Sequence, residues 1–160
     1  MHTTRIDLPE ESRRQLVALI NARLADAVDL KLAAKHAHWN VKGPHFLSLH
    51  ELFDRLAGSL EAPVDDMAER ITALGGTAHG TIGLVARGTS LAPYPAEIVA
   101  GADHVEALAN AVAAFGRSVR EAIGRADKLG DEGTADLFTA LSQEVDKQLW
   151  LLEAHQQANS

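Results

Sequence analysis

The 160-residue chain contains no cysteine. Disulfides, thiolate metal sites, iron–sulfur clusters and cysteine nucleophiles are therefore excluded. Any metal it binds must be held by imidazole and oxygen. Long apolar runs are missing too: none reaches the roughly 18 residues that a membrane span needs. Met1 to Glu10 lacks the apolar stretch of a signal peptide. A cytoplasmic protein with no membrane association is the expectation. A basic surplus is also lacking, since 22 acidic side chains face 15 basic ones for a formal net charge of −7. General nucleic-acid binders carry the opposite balance. There is no internal repeat, low-complexity tract or domain boundary, so a single domain over residues 1–160, with a short tail at 1–8, is expected. What the chain does have is 46% hydrophobic residues, enough for a core, and eight histidines among its carboxylates.

Hydrophobic periodicity predicts four long helices and little strand. The first runs from about Pro9 to His38, with Leu16, Leu19, Ile20, Leu24, Ala27 and Val28 at three- and four-residue steps. Asn40 to Pro44 breaks it. The second runs from about His45 to Leu74 and stops at Gly75-Gly76. Pro63 predicts a kink in it, because proline removes a backbone donor and clashes with the carbonyl four residues earlier. Residues 75–95 are too long for an ordinary helix–helix link and leave room for a short helical turn around Ile82 to Ala86. Such a crossover lets the second and third helices run parallel. The third helix is expected from about Ala96 to Arg125, and the fourth from near Thr134. The architecture that follows is an all-α, four-helix bundle of the ferritin-like kind with one long crossover between its second and third helices.

The chemistry concentrates between His38 and Glu69. On the second helix His50 and Asp54 are four apart, and so are Asp65 and Glu69, so each pair shares a face. All four lie within an arc of about 100°. Yet Asp54 and Asp65 are about 16 Å apart along the axis, and His50 and Glu69 about 28 Å. Metal–ligand bonds are only about 2 Å long, so the two pairs cannot share an ion within one helix. The pattern is, however, symmetric about a point between Ser59 and Leu60. Two copies of this helix packed antiparallel across a two-fold there would bring His50 of one to Glu69 of the other, and Asp54 to Asp65. His38, at the end of the first helix, adds a fifth donor. Two imidazoles and three carboxylates suit iron, manganese or zinc. Taken singly, each pair is equally compatible with an ordinary solvated helix face.

Several segments resemble one known family. His38-Trp39-Asn40-Val41-Lys42-Gly43 is similar to the HWN-(V/L)-(R/K)-G signature of the Dps proteins, the mini-ferritins named for DNA binding in starved cells. His50-Glu51-Leu52-Phe53-Asp54 and Asp65-Asp66-Met67-Ala68-Glu69-Arg70 resemble the family's HE-x-x-D and D-x-(M/I)-AER segments, and Leu74-Gly75-Gly76, Thr134-Ala135-Asp136 and Asp146 to Trp150 look like further landmarks. The match spans nearly the whole chain, in order.

The resemblance implies a hollow homo-dodecamer built from two-fold dimers, oxidising Fe(II), usually with hydrogen peroxide, and storing ferric mineral. It implies a two-iron ferroxidase site between subunits, with Asp65 and Glu69 from one subunit and His38, His50 and Asp54 from the other. Trp39, beside a ligand, is either core packing or a nearby electron donor that quenches stray oxidising equivalents. Glu51 is either a mineral-nucleating acid or an ordinary exposed one. Asp127, Asp131, Glu132 and Asp136 either line a cation pore or simply compose a turn. One departure concerns DNA. Family members that bind it often use a lysine-rich terminal tail, whereas Met1 to Leu8 has no lysine and Glu153 to Ser160 has no basic residue other than His155. Weak or absent DNA binding is expected. The alternatives are a non-enzymatic DNA-compacting or structural shell, and a member whose site takes mainly zinc or manganese.

Overall fold

The computed structural model describes residues 1–157. They form α1 (Glu10–Asn40), α2 (Phe46–Ser59), α3 (Glu61–Ala73), α4 (Ile82–Gly88), α5 (Gly101–Lys128) and α6 (Glu132–Glu153). α2 and α3 together make the second helix of a four-helix bundle, and α4 lies in the crossover. Among the described residues no helix is long and apolar enough to cross a membrane.

The α1 stripe Leu16, Leu19, Ile20, Leu24, Ala27, Leu30, Ala34 and Ala37 is buried, and it meets Phe53, Met67, Ile71, Phe115 and Phe138 in one core cluster. Direction follows from what meets at each end. A Cβ on Gly101, the first residue of α5, would lie 2.4 Å from Leu49 Cδ1 near the start of α2. At the far end Arg70 of α3 reaches Asp131 and Thr134 at the start of α6. α2–α3 and α5 therefore run parallel, as the long crossover predicts.

The kink expected from Pro63 is a break at Leu60 (φ −92°, ψ −8°), whose N–H bonds back to the Ala57 carbonyl at 3.3 Å. It lies three residues before the proline because the carbonyl that Pro63 cannot partner is that of Ser59. The third helix departs from expectation. Ala96 to Ala100 lies outside it, and Ile98 with it. The Val99 carbonyl instead accepts the Lys42 N–H at 3.0 Å, and Lys42 and Ala100 form an isolated parallel bridge. A tertiary hydrogen bond overrides local helix propensity.

The crossover is tied to α1 by polar side chains. Buried Asp26 accepts from the Ser90 N–H (2.6 Å), the Ser90 hydroxyl (3.0 Å) and Arg23 (2.9 Å), and Asp29 accepts from Thr89 at 2.8 Å. Further along, Tyr94 is hydrogen-bonded at 2.6 Å to Nδ1 of His104, which is wholly buried. Burial foremost, helped by nearby His36, holds the His104 pKa below its usual 6.5, against the pull of Asp103 and the Ile98 carbonyl. A histidine with a depressed folded pKa contributes stability that is full above pH 6.5 and lost as pH falls through the folded value. His104→Gln is expected to flatten the fall in melting temperature on acidification below pH 6.5, measured by thermal melts across a pH series.

α3 ends at Gly75 (φ +86°), with Gly75 N–H on the Thr72 carbonyl and Gly76 N–H on the Ile71 carbonyl, both at 2.9 Å. The N-terminal segment docks here: the His2 N–H donates to the Gly75 carbonyl at 2.6 Å, and Ile6 and Leu8 pack on the core. A Cβ at Gly75 would lie 2.5 Å from the His2 carbonyl oxygen. Gly75→Ala is expected to cost about 1–2 kcal/mol, read as a lower urea midpoint.

Candidate metal centre

The end of α1 and the start of α2 are joined by a short turn through Gly43, whose φ of +121° few other residues adopt. That turn folds α2 back on α1 and brings His38 against His50. The rings stack with centroids 3.7 Å apart and planes 20° from parallel. Each Nδ1 lies 2.8 Å from the other residue's main-chain carbonyl oxygen, His38 Nδ1 on His50 and His50 Nδ1 on His38. A carbonyl only accepts, so both Nδ1 atoms carry the proton. In the neutral rings both Nε2 atoms then hold a free lone pair. A metal-binding histidine is commonly oriented in this way, by donating its second N–H to a backbone carbonyl.

Asp54, one turn beyond His50, is exposed and pairs with Lys35 Nζ at 2.6 Å. The Lys35 hydrogen bond holds its carboxyl below the usual range, with Lys35, His38 and His50 adding their charges, against a smaller opposing effect of burial. The sequence reading missed Lys35, although its place three residues before His38 puts the two on one face of α1. Trp39 is 66% exposed, with Lys35 Nζ 5.7 Å from its ring centroid. Within this chain its alternative role in core packing is thereby excluded.

Asp65 and Glu69 are exposed on α3, beyond the break at Leu60. The fold brings His38 and His50 together, leaves Asp54 turned to Lys35, and does not gather Asp65 and Glu69 with them. Among the described residues no three His, Asp or Glu side chains are grouped to hold a metal ion. His50 and Asp54 lie towards one end of the α2–α3 stripe, and Asp65 and Glu69 towards the other. Trp39, Leu32 and Phe46 leave apolar surface exposed on the same two helices as the histidines, and Phe46 packs 5.1 Å from the His50 ring.

The turn before α6 corrects one pore candidate. Asp131 is only 5% exposed; it caps α6 by accepting from the Thr134 N–H and takes two hydrogen bonds from Arg70 at 2.7 and 2.8 Å. Asp131 is held as a cap and ion-pair partner, while Asp127, Glu132 and Asp136 stay on the surface. His79 is exposed in the crossover.

Comparison with known proteins agrees with this architecture. The ferritin-like domain family matches residues 17–158. The DNA protection during starvation protein of Agrobacterium fabrum is 43% identical over 159 residues, covering 99% of this chain and 98% of that protein. The tetragonal form of Mycobacterium smegmatis Dps superposes with a TM-score of 0.91 at 30% identity, covering 96% of this chain and 93% of that one. A Dps protein of Vibrio cholerae O1, described as a member of a broad superfamily of ferritin-like diiron-carboxylate proteins, superposes with a TM-score of 0.89 at 25% identity, with 96% of each chain covered.

Proposed function

This chain belongs to the Dps family of ferritin-like proteins, and on that premise we propose that it oxidises Fe(II) with hydrogen peroxide at sites shared between two subunits. It then stores the ferric product inside a homo-dodecameric shell and so protects the cytoplasm from oxidative damage. Each site combines His38, His50 and Asp54 of one subunit with Asp65 and Glu69 of another. The single observation that carries this reading is the reciprocal lock of His38 and His50, which presents two imidazole lone pairs at a half-exposed position.

Iron is the substrate here. Carboxylate oxygens favour Fe(III) over Fe(II), because a hard anion gains more from the higher charge. Two Fe(II) ions held side by side each give one electron to one peroxide. The O–O bond breaks, two protons are taken up, and two waters form, so no hydroxyl radical is released. Trp39, exposed beside His38, serves as a reserve electron donor if only one electron is delivered. The Lys35 ammonium occupies a cation's place at Asp54, and Fe(II) must displace it. An exposed ion pair of this kind is weak. Lys35→Gln is therefore expected to tighten apparent Fe(II) binding by no more than about fivefold, read from an anaerobic titration.

The test of the function is anaerobic addition of Fe(II) followed by peroxide, with one peroxide consumed for every two Fe(II) as the expected ratio. A ratio near one to one would mean radical-generating chemistry and would contradict the proposal. The DNA reading also carries over: the N-terminal segment lacks lysine and is docked at Gly75, so no duplex shift is expected in a gel at physiological salt and neutral pH.

A further inference from the structure

Beneath the break between α2 and α3 lies a void of about 10 Å³, whose lining includes Ser59, Leu60, Glu144 and Gln148. A volume of that order is about one water probe sphere. Two lining residues bring polar atoms that need a donor. Gln148 is buried, and its Oε1 has no protein hydrogen-bond partner. Its Nε2 donates to Glu144 Oε1 at 2.7 Å. An ionised carboxylate only accepts, so the amide cannot turn over without setting oxygen against oxygen, and the unpartnered Oε1 is fixed as the outer acceptor. Ser59 supplies the second acceptor: Pro63, four residues on, has no N–H to give its carbonyl.

We infer that this void is a hydration site holding one water, which donates one hydrogen to Gln148 Oε1 and the other to the Ser59 carbonyl. Gln148 Oε1 has no donor and the Ser59 carbonyl lacks its usual helical one, and water, with two donors, fits this volume. The water stands in for the N–H that Pro63 lacks. It solvates the helix break from the inside, at the hinge between the segment that carries His50 and Asp54 and the segment that carries Asp65 and Glu69. Gln148, from α6, is its anchor.

High-resolution crystal structures of the native assembly and of a Gln148→Leu variant test this. The native map is expected to show one solvent peak at hydrogen-bonding distance from both Gln148 Oε1 and the Ser59 carbonyl, and the variant map is expected to lose it. A native void without a peak, a Gln148 amide turned to a protein donor, or a peak that survives in Gln148→Leu would overturn the inference. So would a peak with anomalous signal and metal-like bond lengths, since that would be a cation. If Gln148→Leu does not assemble, Gln148→Met, which keeps the length and removes the acceptor, gives the same reading.

Discussion

A His50→Ala, Asp54→Ala double variant is expected to lose fast Fe(II) oxidation by at least about 100-fold while still assembling. Altering even the outer-shell partners of a metal ligand typically costs 10- to 100-fold, and here two direct donors are removed. Assembly should survive because Asp54 is exposed and His50 only half-buried. The core under them is carried by Leu49, Leu52, Phe53 and Leu56. The loss has a structural component as well: without the His50 ring, His38 Nδ1 keeps its carbonyl partner but its ring loses the stacked neighbour at 3.7 Å. His50→Ala alone should therefore also loosen the remaining imidazole. Stopped-flow absorbance at the ferric band, with size-exclusion chromatography of the same samples, separates lost chemistry from lost assembly. An unchanged oxidation rate would remove both residues from the site.

The second large effect is on stability. Asp131→Ala is expected to cost about 3 kcal/mol, seen as a markedly lower urea or thermal midpoint. Two contributions add. The substitution removes the side-chain cap on the first turn of α6, and it leaves Arg70, at 26% exposure, without its carboxylate. Because Arg70 retains some access to water, the cost falls at the low end of what breaking a buried ion pair usually brings. The pair also sets an acid limit. Burial works to raise the Asp131 pKa, but hydrogen bonds from Arg70 and Thr134 outweigh it and hold the carboxyl below its usual 3.8. A depressed carboxylate contributes stability that is present above pH 3.8 and lost as pH falls through the folded value. The stability gap between the native protein and Asp131→Ala should therefore be full at neutral pH and shrink only in strong acid.

Much of this was legible because helix periodicity and spacing are local properties. The apolar steps along α1 place its buried stripe correctly, and Pro63 places a break within three residues. The separation of these side chains follows from helical rise alone: the fold leaves Asp65 and Glu69 apart from His38 and His50, as the axial distances require. What was not legible depends on contacts distant in sequence. Ala96 to Ala100 has helix-forming composition, yet it turns at Ala96 and Glu97, and the Lys42 N–H on the Val99 carbonyl holds its end outside the helix. The interlock of His38 with His50 needs the turn at Gly43 to fold α2 back, and no spacing rule encodes it. Asp131 reads as one acid among four until Arg70, 61 residues away, claims it. Trp39 shows the reverse case. Its place beside His38 is plain in the sequence, and only the fold shows that the ring is exposed.

That the site is split between two subunits can be tested most directly by complementation. One variant carries His50→Ala and Asp54→Ala, the other Asp65→Ala and Glu69→Ala; each is inactive alone. Dissociated, mixed in equal amounts and reassembled, they form mixed dimers in which one of the two sites draws all its donors from unaltered positions. Random pairing is expected to restore about one quarter of the native oxidation rate. No recovery in a mixture shown to contain mixed dimers would place all five donors in a single subunit, and would contradict the account.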